Sequence, residues 1–137
     1  MIVGIDAMNR PANPPANPFL RELPWIASCA AGYCLWLAAS AMTGAREAWD
    51  HPLYFALVLP AGLALLFAGG WHAPWRAWTL APAMAAGQIL GMLASLDGPG
   101  TLLPLGIVAM VVMHVPGHAA ALFAAWWRRR KNPPAGA

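Results

Sequence analysis

The residues best equipped for chemistry stand in the run MVVMHVPGH at positions 110–118. Histidines at i and i+4 share one face of a helix, and an imidazole pair at that spacing is a platform for zinc or copper. The thioethers of Met110 and Met113 suit Cu(I), and Cys29, far away in the chain, is a candidate further ligand. His114, His118, Cys29, Met110 and Met113 thus form an expected metal set. Pro116 lies between the two histidines, removes an amide donor and crowds the carbonyl one turn earlier. A haem would want axial ligands from facing helices, and His51 and His72, the other two histidines, fall in loops on opposite sides. The competing reading makes His114 and His118 neutral structural donors and the methionines packing residues. Copper, zinc or haem therefore follow only from the histidine reading, and nothing else in the chain demands a cofactor.

A second set is defined by depth. Counting about 1.5 Å per residue, Tyr33, Gln88 and His114 each fall roughly 15–20 Å from one end of their apolar runs. The spacing predicts an intramembrane polar cluster of these three, hydrogen-bonded across the interior. Cys29, Tyr33, Trp36, Ser40 and Thr43 follow 4-3-4-3 spacing and are expected to share an inward face. Ala83, Gly87, Gly91 and Ser95 form a small-residue stripe containing GxxxG, which lets another backbone approach closely. Cys29 and Cys34 are five apart, about 140° around a helix at about 3.6 residues per turn, so they are not a disulfide pair. There is no CxxC for thiol chemistry.

The elements that hold these residues are set by composition. The chain has 137 residues, 60% hydrophobic and 9% charged, with mean hydropathy +0.54. Soluble domains carry about 25% charged residues, so an ordinary soluble fold and a disordered chain are both excluded. A membrane helix needs about 20 mostly apolar residues. Four such runs fit, at about 23–43, 53–70, 77–96 and 101–127. They imply an all-α integral membrane bundle of four antiparallel helices in up-down order. Residues 1–22, rich in Pro and Asn, read as a tail, and 128–137 as a basic tail. Met8 is an alternative start. Ala39-Ser40-Ala41 after an apolar run resembles a cleavage site, but the leading segment is too long and proline-rich for a signal peptide.

Charge sets the expected orientation. Of 8 basic residues, Arg10, Arg21, Arg76 and the block Arg128, Arg129, Arg130 and Lys131 fall on one side and Arg46 alone on the other. Both termini are then cytoplasmic by the positive-inside rule. Trp25, Trp71, Trp75, Trp78, Trp126 and Trp127 fall at that same interface, and Trp49 at the opposite one. Low lysine with abundant Ala, Gly, Pro and Arg suggests a GC-rich bacterial gene, and the expected location is then the bacterial inner membrane. The terminal basic block is also a candidate site for anionic lipid. The outer loop residues Arg46, Glu47, Asp50 and His51 read as a solvated cluster.

No Asp, Glu, Lys or Arg falls inside the four runs, which argues against proton pumps, voltage sensors and many cation-coupled carriers. Basic residues are not interleaved with aromatics on a soluble face, so nucleic acid is not an expected partner. The expected function is a small non-catalytic accessory, assembly or interaction subunit. Its partners are the lipid bilayer and either another membrane protein or a second copy. Metal or haem handling through His114 and His118 is the alternative. A small transporter, resting on Pro60 and Pro116 as mid-helix breaks, comes third.

Overall fold

A computed structural model describes residues 15–44, 48–95 and 103–131. All regular elements among them are helical. Asn17 decides where the first begins. Its side chain accepts a hydrogen bond from the Phe19 amide at 2.9 Å, and proline follows it at the first helical position, where a missing amide is harmless. Helix α1 therefore spans Pro18–Thr43 and starts ahead of the expected Leu23. Pro24 lies within it rather than in its opening turn. It closes on Gly44, which takes the left-handed φ of 59° that a helix C-terminus favours.

A 3-10 turn at Ala48–Asp50 and a π turn at Tyr54–Val58 lead into α2, Leu59–His72. The π turn is the chain's answer to Pro60. A proline has no amide and crowds the carbonyl four residues back, and one extra residue in the turn relieves the clash. The Leu59 amide accordingly donates to the Tyr54 carbonyl, five residues back. Helix α3 spans Ala77–Ala94, α4 Leu103–Met113 and α5 Val115–Lys131. His114 is the joint between the last two, its amide shared between the Met110 and Val111 carbonyls at 3.2 Å each. The ladder resumes where the His118 amide reaches the His114 carbonyl at 2.9 Å. The helix runs on through Lys131 rather than stopping at 127. The expected turn at 97–100, the start of the fourth run at 101–102 and the end of the basic tail at 132–137 lie outside the described residues.

Four helices are long and apolar enough to cross a membrane: Pro18–Thr43, Tyr54–His72, Ala77–Ala94 and Pro104–Lys131. They are the helices of a multi-pass membrane protein. The most extensive contacts pair α1 with α3 and α2 with α5, and α3 also meets α5. The α1–α3 contact is backbone on backbone. A Cβ on Gly32 would collide with the Met84 carbonyl, and one on Gly87 with the Cys29 carbonyl. Ser28 adds a buried hydrogen bond from its hydroxyl to the Leu80 carbonyl at 2.8 Å. Two apolar clusters fill the interior. Trp36, Ala39, Tyr54, Val58, Met92 and Met110 form one, and Leu66, Leu80, Ala81, Met84 and Ala121 the other.

The tryptophans divide by position. Trp25, Trp78, Trp126 and Trp127 are exposed at one end of the bundle, as interfacial anchors are. Trp49 turns inward instead. It is half-buried, and its ring stands edge-on to Trp36 with centroids 5.3 Å apart.

Candidate functional site

The two backbone irregularities face each other across the interior. Tyr54 opens the π turn, His114 sits at the break in the fourth span, and Gln88 of α3 lies between them. The Tyr54 hydroxyl donates to Gln88 Oε1 at 2.8 Å, and its oxygen lies 3.8 Å from Met110 Sδ. Tyr54 is 1% exposed and Gln88 3%, so this is a bond in an apolar interior. His114 Nδ1 lies 2.8 Å from the Met110 carbonyl. A carbonyl only accepts, so Nδ1 carries the ring proton and Nε2 is the acceptor of the neutral imidazole. Tyr54, Gln88 and His114 together line a cavity of about 20 Å³, above the ~10–15 Å³ that one water needs.

The expected trio is therefore partly assembled. Gln88 and His114 come together, and Tyr33 does not join them. Tyr33 is 36% exposed on the outer side of α1. The reason is the contact with α3, which runs along the buried row Ser28, Gly32, Trp36 and Ala39. Close approach at Gly32 turns that row inward and leaves Tyr33, one position on, about 100° away. On the expected 4-3-4-3 face, only Trp36 is fully buried; Cys29, Ser40 and Thr43 flank it half-buried. Tyr54 fills the place expected of Tyr33. Sequence reasoning passed over it, although a signal existed. It is the one other tyrosine of the chain, on the turn that Pro60 must distort.

The five residues of the metal set are dispersed. Met110 is fully buried against Tyr54. Cys29 belongs to the α1–α3 contact, its carbonyl against Gly87. Met113 packs beside the Trp36 cluster. His114 and His118 do share a lateral groove with Ala81 and Pro82 of α3. Among the described residues no three His, Cys, Asp or Glu side chains come together as a metal-sized group.

The small-residue stripe of α3 is taken up inside the chain. Gly87 meets α1 at Cys29, and a Cβ on Gly91 would stand 2.9 Å from Trp36 Cβ. Ala83 is half-buried, and Ser95 is exposed, its hydroxyl donating to the Gly91 carbonyl at 2.8 Å. The basic block is also partly committed. Arg128 donates to the carbonyls of Trp71 and His72 at the end of α2, where a cation offsets the helix dipole. Arg129 donates to the Pro74 carbonyl at 2.9 Å. Arg130 lies 4.1 Å above the Trp126 ring and Lys131 5.0 Å above Trp127. In the outer loop, His51 Nδ1 accepts from the Leu53 amide at 3.2 Å, Asp50 is exposed, and Arg46 and Glu47 lie outside the described residues.

Comparison of the chain with family models, with curated proteins and with solved structures finds no match in any of the three.

Proposed function

We propose that the protein is a non-catalytic interaction subunit of a bacterial inner membrane, four antiparallel helices with both termini cytoplasmic. It associates through α1 with a membrane helix of a second copy or of another protein. One observation carries the reading. Ala30, Cys34, Ala38 and Ala41 stand at i, i+4, i+8 and i+11 on α1, and all four are exposed. Small residues at this spacing let a second backbone come close, which is how helices associate in lipid without a hydrophobic drive. The α3 stripe has its partner within the chain, whereas this one has none among the described residues.

Cys34 lies in the middle of the row and makes the test direct. A bifunctional maleimide applied to native membranes should join Cys34 either to a second copy or to another protein of distinct mass. Cys29, half-buried at the α1–α3 contact, serves as the control, and a Cys29→Ala chain should cross-link equally well. Only monomeric adducts at Cys34 would refute the association. Reporter fusions at residue 137 and in the loop near 45 test the orientation, and should report opposite sides of the membrane.

The histidine groove supports a second reading, metal handling by His114 and His118. Stoichiometric copper or zinc in the purified protein, lost in both His114→Ala and His118→Ala, would establish it in place of the first.

A further inference from the structure

The bundle is open between α1 and α2. A cleft of about 520 Å³ lies there, within the ~300–1,000 Å³ of small-molecule sites. Leu20, Leu23 and Ala27 of α1 and Leu65 of α2 wall it, and Leu80 and Met84 of α3 form its floor. Along α1 it runs from Leu20 to Ala31, about 16 Å at about 1.5 Å per residue. That is about half of a ~30 Å hydrocarbon core, the depth of one leaflet. An apolar cleft of this length fits an acyl chain.

One end of the cleft is polar. His72 and Trp75 line it there. The Trp75 indole nitrogen is buried without a hydrogen-bond partner among the described residues. With almost no accessible surface, that nitrogen does not open onto the cleft, and exposed His72 is the polar side chain that does. Positive charge gathers at the same end. Arg76, next to Trp75, pairs with Glu22 and donates to the Arg21 carbonyl at 3.2 Å. Those contacts draw Arg21 alongside, and its own guanidinium has no partner among the described residues.

We propose that this cleft binds one anionic glycerophospholipid. Its acyl chain lies between α1 and α2, and its phosphate lies beside His72 and faces Arg21. The site is separate from the terminal basic block, where Arg130 and Lys131 lie over tryptophan rings.

Native mass spectrometry of the full chain in detergent tests this, with phosphatidylglycerol and phosphatidylcholine of equal chain length added in equal amounts. The wild type should retain one phosphatidylglycerol in preference to phosphatidylcholine. Arg21→Gln should weaken that retention about fivefold, the worth of one basic residue near an anionic headgroup. Ala27→Phe fills the cleft and should weaken both lipids at least tenfold. The double variant Arg130→Gln/Lys131→Gln should change nothing. If Ala27→Phe fails to fold, the wild type alone decides, because dihexanoyl phosphatidylglycerol should bind at least tenfold more weakly than the long-chain lipid.

Three results would overturn the proposal: equal binding of short and long chains, retention that depends on Arg130 and Lys131 but not on Arg21, or no retained lipid at all.

Discussion

Helix α1 has two faces of similar composition and different fate. One carries Ser28, Gly32, Trp36 and Ala39, all buried against α3. The other carries Ala30, Cys34, Ala38 and Ala41, all exposed. Both rows are nearly apolar, so hydrophobicity does not separate them. In lipid it cannot, because a tail is as apolar as a leucine. The faces differ in what they meet. The inner one has a glycine where α3 has its own, so the backbones touch at Gly32 and Gly87, and a buried serine hydroxyl reaches the Leu80 carbonyl. The outer one has alanines and a cysteine, close enough to bare for a neighbour but without a hydrogen bond to fix one. Close approach combined with a polar bond secures the first contact, while close approach alone leaves the second open to a partner outside the chain.

The largest effect is expected where backbones touch. Gly32→Leu and Gly87→Leu each place a side chain against a main-chain carbonyl, which cannot swing aside. Each should cost more than about 3 kcal/mol, the upper range for overpacking, and prevent a cooperative unfolding transition in detergent. An unchanged midpoint for either variant would mean that α1 and α3 do not meet there.

Neighbouring aromatics sharpen the contrast. Trp36 is 0% exposed and Tyr33 36%, three positions apart on one helix. Trp36→Ala should cost about 3 kcal/mol or more through the cavity it leaves. Tyr33→Ala should cost less than about 1 kcal/mol, as a residue away from buried networks does. Similar losses for both in thermal unfolding would show that the inner and outer faces are wrongly assigned.

The sequence makes the four spans legible because apolar runs of bilayer length have no other use in a chain this poor in charge. The ends are less legible. Asn17-Pro18 reads as part of a proline-rich tail until the Asn17 side chain is seen capping the helix. Pro60 and Pro116 mark breaks in advance, but not their form, since a π turn at Tyr54–Val58 and a shared amide at His114 are two answers to one problem. For the interior polar groups, depth brings Gln88 and His114 together. It fails for Tyr33, because rotation about the α1 axis depends on Gly32 meeting Met84, a contact between residues 52 positions apart. The small-residue stripe of α3 is readable as a contact surface, yet its partner is not, because α1 carries small residues on both sides.

Gln88 tests whether the other side of α3 is held by polarity as the α1 side is held by proximity. It neighbours Gly87 in sequence but bonds to Tyr54. Gln88→Leu leaves the buried Tyr54 hydroxyl with only the weak sulfur acceptor of Met110, and should cost about 1–2 kcal/mol. Adding Tyr54→Phe removes that hydroxyl. The double variant should therefore cost less than the sum of the singles, by about 0.6 kcal/mol on average and up to about 1.7 for interhelical bonds in membranes. Strict additivity in detergent unfolding would mean that the two side chains do not interact.

The smallest effect on the isolated chain is expected on the outer face, where the comparison is most exposed to failure. Ala38→Leu adds volume at an exposed position, so no internal contact resists it. Leucine is also a strong helix former, close to alanine. Unfolding of the monomer should shift by no more than about 0.5 kcal/mol, as for surface substitutions generally. Association responds differently, because the added side chain holds the two backbones apart where a small residue let them meet. Cross-linking through Cys34, four residues earlier on the same row, should fall sharply. If Ala38→Leu lowers the monomer's stability instead, the row packs within the chain. If it leaves both stability and cross-linking unchanged, the row faces lipid, and α1 then has one working face rather than two.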